Sequence, residues 1–261
     1  MMALDLAAIK NKLSSLNNQD NKKSNLWRPA DGKQRIRIVP YVHRKENPFL
    51  ELYFHYDIPK RSMLSPITNG NPDPIVEFAE KLKKTGDKDD WMMGRKIEPK
   101  MRTYVPVIVR GKESEGVKFW GFGKTIYTEL LSIIADPDYG DITDLRNGRD
   151  IDVEFTPAEG GGYPKTAIRV KPNQAPATED KSIAELIMKQ PKIEDIYPEP
   201  EYSDLEEELK AWMNPENADS DVEKTTSAPT TTNDVASQSL SATATSDVGA
   251  AFDDLFNRRS I

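Results

Sequence analysis

The chain of 261 residues contains no cysteine and only two histidines, His43 and His55. Without thiols it can form neither disulfide bonds nor a cysteine-ligated zinc site, and it has little material for a histidine-based metal site or a catalytic triad. It also lacks the run of about 18 apolar residues that a membrane-spanning helix needs. The first residues do not follow the pattern of a signal peptide. We therefore expect an intracellular protein without a membrane segment or a metal ion.

Apolar residues are scarce, at 37% of the chain, and the charge is unevenly distributed. Residues 1–178 carry 29 basic and 24 acidic side chains, a net charge of +5, whereas residues 179–261 carry 7 and 19, a net charge of −12. The low apolar content predicts that part of the chain is disordered. A mildly basic body suits a polyanionic partner, and an acidic tail can compete with that polyanion or recruit other proteins.

The stretch from Lys100 to Leu131 predicts a β-hairpin followed by a helix. Side chains alternate between two faces along Tyr104–Arg110 and again along Val117–Phe122. A surface with aromatic rings beside cations can stack unpaired bases while the cations follow the phosphate backbone. The alternative is a two-stranded piece of core with a solvated rim. The rings and cations of the hairpin are those of Lys100, Arg102, Tyr104, Arg110, Lys118, Trp120, Phe122 and Lys124.

A strand with arginines on one face is predicted ahead of this hairpin. It lies within Trp27–Pro40, where an apolar face alternates with Arg35 and Arg37. The two arginines either bind phosphate or protect an edge of the sheet. Two further strands, Ile151–Phe155 and Lys165–Lys171, are predicted to pair across a flexible, glycine-rich loop.

Between these strands lies an aromatic strand, Phe49–Ile58, in which His55 is expected to be a hydrogen-bonded core residue. The DNA-binding candidates in and after this strand are the rings of Tyr53 and Tyr56 and the cations Lys60 and Arg61. A helix that begins with proline is predicted over Pro74–Lys84. A charged link, Thr85–Asp90, then leads to Trp91, which completes the set of candidates.

The pattern of short strands with helical insertions predicts a mainly β protein of the α+β class, built around a Greek-key barrel. We place this core domain at residues 25–178. An acidic helical segment is expected over 179–213 and a disordered tail over 214–261, because the tail is rich in Thr, Ser, Ala and Asp and has few large apolar residues.

Both ends of the chain carry candidate interaction segments. Residues 1–24 combine a helical apolar pattern with a polar linker, which favours self-association over packing on their own domain. The residues predicted to take part are Leu6, Lys10, Lys12, Leu13, Lys22 and Lys23. The tail carries an acidic, aromatic FDDLF sequence, typical of a recruitment motif, although a chance cluster is the alternative. Its residues are Phe252, Asp253, Asp254, Leu255 and Phe256.

The chain resembles the helix-destabilising single-stranded DNA-binding proteins of T-even-type bacteriophages over about residues 3–172. The resemblance rests on LAAIKNKL near the start, QRIRIVP ending at Pro40, the strand KMRTYVPVIV, and FWGFGKTIY leading into a helix. Each of these sequences alone is weak. Their order and spacing together make the resemblance specific.

This resemblance implies an OB-fold with a groove for single-stranded DNA. It also implies an N-terminal segment for cooperative binding along the strand, an acidic C-terminal segment for protein partners, and residence in the cytoplasm of an infected bacterial cell. Trp120 and Tyr104 match aromatic positions of the family's groove. The matching basic positions are Lys100, Arg102 and Lys124, and Arg37 lies in the matching strand before Pro40.

Three departures from the family pattern bear on these implications, one of which is that the tail ends in Arg258-Arg259-Ser260-Ile261 rather than in acidic residues. Well-known members hold a zinc ion with one histidine and three cysteines. Here Asn69 lies near the histidine position, and Asp73 and Val76 lie near two of the cysteine positions. We therefore predict no zinc, and we expect apolar packing by Ile67, Ile75, Val76 and Phe78 to hold this insertion. The family's opening basic cluster is missing ahead of Leu6, which puts strong cooperativity in doubt.

The predicted function is sequence-nonspecific binding and protection of single-stranded DNA during viral DNA replication, recombination and repair. The acidic tail is predicted to recruit replication and recombination proteins. One alternative is an RNA-binding, translation-regulating OB-fold protein, because the same groove accepts RNA. Another is a scaffold that binds no nucleic acid. We do not expect an enzyme, because no carboxylate pair in the sequence is accompanied by a nucleophile or metal-ligand set.

Overall fold

A computed structural model describes residues 25–44, 47–58 and 62–213. These residues divide into two compact units, the first formed by 25–52 and 101–198 and the second by 53–100 and 199–213. The elements are β1 (Leu26–Trp27), β2 (Gly32–Ile38), β3 (Leu50–His55), β4 (Met63–Leu64), α1 (Pro74–Lys84), α2 (Lys88–Ile97), β5 (Lys100–Val109), β6 (Lys118–Phe122), α3 (Lys124–Ala135), β7 (Arg149–Thr156), β8 (Lys165–Gln174), α4 (Lys181–Met188), α5 (Ile193–Ile196) and α6 (Tyr202–Met213). Short 3-10 helices cover Pro66–Asn69 and Glu113–Glu115.

Several predicted segments lie outside the described residues. These are the self-association residues Leu6, Lys10, Lys12, Leu13, Lys22 and Lys23, the cations Lys60 and Arg61, and the tail motif Phe252–Phe256. The predicted core domain, 25–178, contributes residues to both units, because 53–100 belong to the second. The predicted acidic segment, 179–213, is likewise divided after residue 198.

The first unit is built on a mixed sheet in the order β1-β6-β5-β2-β7-β8. The pair β1 and β6 is parallel, and the other neighbours along this path are antiparallel. Within the described strands this path is open, with β1 and β8 at its ends. The strands and helices confirm the predicted α+β class.

The main apolar cluster of the first unit lies on one face of this sheet. On β2, Ile36 and Ile38 are fully buried, as the alternating pattern predicts. They pack with Val105 and Val107 of β5 and with Leu130 of α3 in one cluster. The paired strands β7 and β8 are also confirmed, with Thr156 opposite Lys165 at the start of the glycine-containing loop.

The second unit packs helices around a short hairpin. Strands β3 and β4 pair through Phe54 and Leu64. Helix α1 has the predicted bounds: Pro74 occupies its first turn, and the side chain of Asp73 accepts hydrogen bonds from two backbone N–H groups. Buried Ile75 and Phe78 confirm part of the apolar packing expected for this insertion, whereas Ile67 and Val76 are only partly buried.

Helix α2 begins at Lys88, within the charged link predicted over Thr85–Asp90, so the prediction is wrong for residues 88–90. Asp87 caps this helix by accepting from the N–H groups of Asp89 and Asp90. The close fit against α1 depends on Gly94, because a Cβ at that position would lie 2.7 Å from the carbonyl oxygen of Ala79. Acidic residues are favourable in the first turn of a helix, but in the sequence they have the same composition as a charged linker.

A buried polar trio holds the insertion together beside the apolar packing. His55 Nε2 lies 2.8 Å from Oδ2 of Asp73, and the hydroxyl of Ser65 donates to the same oxygen. All three side chains are almost fully buried. The prediction that His55 is a hydrogen-bonded core residue is confirmed, whereas the trio itself was not predicted.

Candidate nucleic-acid interface

The predicted hairpin forms from β5 and β6, with Val105 opposite Trp120 and Thr103 opposite Phe122. However, Trp120 is only 1% exposed and Phe122 only 4%. The Trp120 ring packs edge-on against Trp27, with ring centroids 5.7 Å apart. Both rings therefore belong to the core and cannot stack on a base in this arrangement, which corrects their predicted role.

Tyr104 lies on the opposite face of β5, where it is also covered. Its ring packs against that of Tyr197 at a centroid distance of 5.3 Å, and its hydroxyl donates to the Tyr197 hydroxyl at 3.0 Å. Only 6% of Tyr104 is exposed. Tyr197 covers one side of the Tyr104 ring. The prediction that Tyr104 lines an open groove is therefore wrong in this arrangement.

Two of the predicted arginines form a partly buried ion-pair group with Asp150. Nη1 of Arg37 lies 3.1 Å from Oδ1 of this carboxylate, and two nitrogens of Arg110 lie 2.7 and 3.0 Å from its oxygens. Burial lowers the pKa of Arg37, although Asp150 opposes the shift. The guanidinium of Arg37 is fully buried and also donates to backbone carbonyls, which corrects its predicted phosphate contact.

The predicted cations at the open end of the hairpin are exposed. Arg102 is exposed and donates from Nη2 to the carbonyl oxygen of Gly121 at 3.1 Å. Lys124 is exposed as the first residue of α3. By contrast, Lys118 near the turn is largely covered and pairs with Glu115. Among the predicted cations of the hairpin, those at the open end are therefore accessible to a ligand, whereas Lys118 is not.

A cleft of about 650 Å³ opens beside this end of the hairpin. Its lining includes Gly123 and Thr125 from the start of α3, and Lys165 and Thr166 from β8. Gly123 has no side chain with which to cap α3. The exposed carboxylate of Glu154 also lines the cleft, so its charge is mixed.

The outer face of β2, β7 and β8 carries what we call the Asp152 cluster, formed by Lys33, Arg35, Asp152 and Lys171. The carboxylate is 3.0 Å from Nζ of Lys33, 2.9 Å from Nε of Arg35 and 2.9 Å from Nζ of Lys171. Burial alone raises the pKa of Asp152, but the hydrogen bonds from the three cations hold it well below its usual range. The predicted residue Arg35 is exposed, and it is one of three cations that surround Asp152.

The second unit presents an exposed aromatic surface on α2. The indole of Trp91 is 48% exposed and the neighbouring Met92 is 55% exposed. Cζ of Arg95, one turn further along, lies 5.6 Å from the centroid of the Trp91 ring, a cation–π arrangement. Trp91 is thus a predicted site residue that the structure leaves accessible.

The other predicted residues of this unit differ in exposure. Tyr56 is 46% exposed, and Tyr53 is partly buried. Lys100 is exposed and pairs with Asp57 at 3.2 Å. Tyr56 therefore has surface for a ligand, whereas Tyr53 has less.

Sequence reasoning missed several residues at these surfaces. Lys33 stands two positions before Arg35 on the same strand face, and this spacing could have identified it. Arg95 follows Trp91 at a helical spacing of four, which is informative only once α2 is recognised. Lys171 comes near Asp152 through the pairing of β7 with β8, and the separate patterns of the two strands do not reveal that meeting.

Among the residues that the structure describes, no helix is long and apolar enough to cross a membrane. The same residues contain no group of three or more His, Asp or Glu side chains that could hold a metal ion. A search with models of protein families gives no match. A search of curated proteins gives none either.

Proposed function

We propose that this protein binds single-stranded DNA without sequence preference and protects it during viral DNA replication, recombination and repair. The observation that carries the proposal is the exposed indole of Trp91 beneath the guanidinium of Arg95. An exposed tryptophan beside a cation offers a stacking surface to any unpaired base, because every base has a π-face.

Cations of the first unit add the phosphate-binding part of the proposal. Arg102 and Lys124 are exposed, and the sequence of the body is basic overall. Neutralisation of phosphates gives most of the affinity of such proteins, with log K falling against log salt by about 0.7 for each phosphate of a single strand. The proposed action is therefore passive binding rather than catalysis.

The resemblance to the phage family supports the finer parts of this proposal. We propose that the sheet of the first unit is a variant of the OB-fold, and that residues 1–24 promote self-association along DNA. The motif Phe252–Phe256 recruits replication and recombination proteins, and the site of action is the cytoplasm of an infected bacterial cell. The acidic charge of the tail suits displacement from a basic body when DNA binds.

Quenching of intrinsic tryptophan fluorescence by oligo-dT tests whether the protein binds single-stranded DNA, and tryptophan variants show which residue lies at the binding site. The chain contains Trp27, Trp91, Trp120 and Trp212. Oligo-dT should quench the wild-type emission, and the quenching should largely disappear in Trp91→Phe, because Trp120 is buried. Trp212→Phe serves as the matched control and should retain the quenching.

The same titration separates the proposed function from its rivals. Preferential quenching by poly-rA over oligo-dT would replace single-stranded DNA with RNA as the ligand. Absence of binding to oligo-dT, poly-rA and duplex DNA, in the full chain and after removal of residues 214–261, would reject nucleic-acid binding and leave a scaffold.

A further inference from the structure

The Asp152 cluster is a charged surface of the first unit, whereas Trp91 belongs to the second unit. We propose that this cluster contacts the backbone phosphates of double-stranded DNA. The protein therefore binds duplex weakly, with an affinity that falls as the salt concentration rises. This inference goes beyond the proposed binding of single strands. In this proposal the first unit contacts duplex, and Trp91 of the second unit contacts unpaired bases.

The geometry fixes three cations at one place on the sheet. Lys33 and Arg35 come from β2 and Lys171 from β8, and all three meet the carboxylate of Asp152 on β7. The Asp152 side chain is only 3% exposed, while those of Lys33 and Arg35 are 56% and 48% exposed. The carboxylate therefore lies beneath its partners and holds their charged groups close together at the surface, so less side-chain entropy is lost when they meet a ligand.

The charge of this face is positive after its carboxylates are counted. Arg169 stands opposite Asp152 in the register and adds a fourth cation, while Glu154 stands opposite Lys33 and adds a second carboxylate. Both of these side chains are exposed. Four cations against two carboxylates leave a net charge of +2, which suits contact with a small number of phosphates.

The chemistry of the face favours duplex over unpaired bases. No ring belongs to the residues that carry it, which are Lys33, Arg35, Asp152, Glu154, Arg169 and Lys171. Without a ring, binding gains nothing from unstacked bases and depends on charge alone. Double-stranded DNA presents about one charge per 1.7 Å of its axis, and this density makes it the stronger ligand for a surface of fixed cations.

A double substitution on this face provides the first test. Lys33→Gln with Lys171→Gln leaves Arg35 to pair with Asp152. The matched control is Lys84→Gln with Lys189→Gln, because these exposed lysines also pair with a carboxylate, Glu80 and Glu185 respectively, and the change in net charge is the same. Binding of a labelled duplex is measured over a salt series in full-length protein.

We expect the Lys33/Lys171 variant to reduce the salt slope for duplex by about 0.9 for each phosphate that it no longer neutralises, and thus by about 2 if each lysine meets one phosphate. The control should retain the wild-type slope. Equal reductions in the two variants, or an unchanged slope in the Lys33/Lys171 variant, would overturn the inference. The wild type and both variants should bind a short oligo-dT with equal affinity, measured by the fluorescence of Trp91. If the inference about duplex fails, the proposed binding of single-stranded DNA is therefore unaffected.

Asp152→Asn provides a second test, with an effect of opposite sign. Removal of the carboxylate releases the three cations from their shared partner and raises the net charge of the face by one. We expect the gain in charge to outweigh the loss of positioning, so duplex binding at low salt should become several-fold tighter even though the fold becomes less stable. If the cations serve only to neutralise a buried carboxylate, Asp152→Asn lowers the melting temperature and leaves duplex affinity unchanged. That result would contradict the inference.

Discussion

The ring of Tyr104 lies directly over Gly121: a Cβ built at residue 121 would stand 2.6 Å from Cε1 of that ring. Side chains at these two positions are neighbours because Tyr104 pairs with Gly121 in the register of β5 and β6. The absence of a side chain at 121 lets the tyrosine lie flat across the hairpin. Tyr197 then covers it.

Gly121→Ala should destabilise the protein by about 1–3 kcal/mol, because the tyrosine ring must move from a packed position. The change is measured as the loss in free energy of unfolding by urea denaturation. In a Tyr104→Ala background the same substitution should cost little, since the obstructing ring is gone. Equal costs in the two backgrounds would show that the ring is not the cause.

Trp120→Ala should act on stability rather than on DNA recognition. The ring is fully buried among Trp27, Phe122 and the valines of β5, so truncation should cost about 3–5 kcal/mol. Trp120→Phe keeps part of the packing and should leave a folded protein with wild-type affinity for oligo-dT. A Trp120 variant with wild-type stability but without affinity for oligo-dT would instead show that Trp120 contacts DNA directly.

Trp91→Ala should have the converse effect. Its indole is half exposed, so stability should change little, whereas loss of one stacking surface should weaken binding to oligo-dT by about 1–3 kcal/mol. Fluorescence anisotropy of labelled oligo-dT measures this change. Met92→Ala removes an adjacent, equally exposed side chain that has no π-face, and it should retain wild-type affinity.

The buried trio predicts a dependence of stability on pH. Burial raises the pKa of Asp73, but hydrogen bonds from His55, Ser65 and the backbone of Val76 outweigh it and hold the pKa below its usual value. Because the folded-state pKa is depressed, this stabilisation is present above the unfolded pKa, about 3.9. It is lost as pH falls through the lower folded value.

Asp73→Asn should therefore lower the free energy of unfolding at pH 7 by about 1–3 kcal/mol and flatten its decline below pH 4. Urea denaturation from pH 7 to pH 3 measures both effects. Glu159→Gln, in the exposed loop between β7 and β8, should reproduce the wild-type profile. An Asp73→Asn profile parallel to the wild type would exclude Asp73 as the group that titrates.

Local signals in the sequence were sufficient for much of the secondary structure. Pro74 in the first turn and Asp73 as the cap give α1 its predicted start, and alternation places Ile36 and Ile38 in the core. The parallel pairing of β1 with β6 could not be foreseen. It joins two residues to a strand much later in the chain, and so short a strand has no pattern of its own.

The candidate site was harder to predict than the fold. Alternation shows that Trp120 and Tyr104 face opposite sides of the hairpin, but not that each side is covered, one by the core and the other by Tyr197. Coverage is a property of distant segments. The accessible pair, Trp91 with Arg95, depends on α2, which the charged residues at its start concealed.

The most direct test of the account is the affinity of the full chain for oligo-dT compared with a duplex of equal length, measured by anisotropy from low to physiological salt. The account predicts tighter binding to the single strand at every salt concentration, with a log–log slope of about −0.7 per phosphate contacted. Trp91→Ala should reduce the difference in affinity between oligo-dT and duplex. Equal affinities for single strand and duplex, or no binding to either, would contradict the claim that this protein is a single-stranded DNA-binding protein.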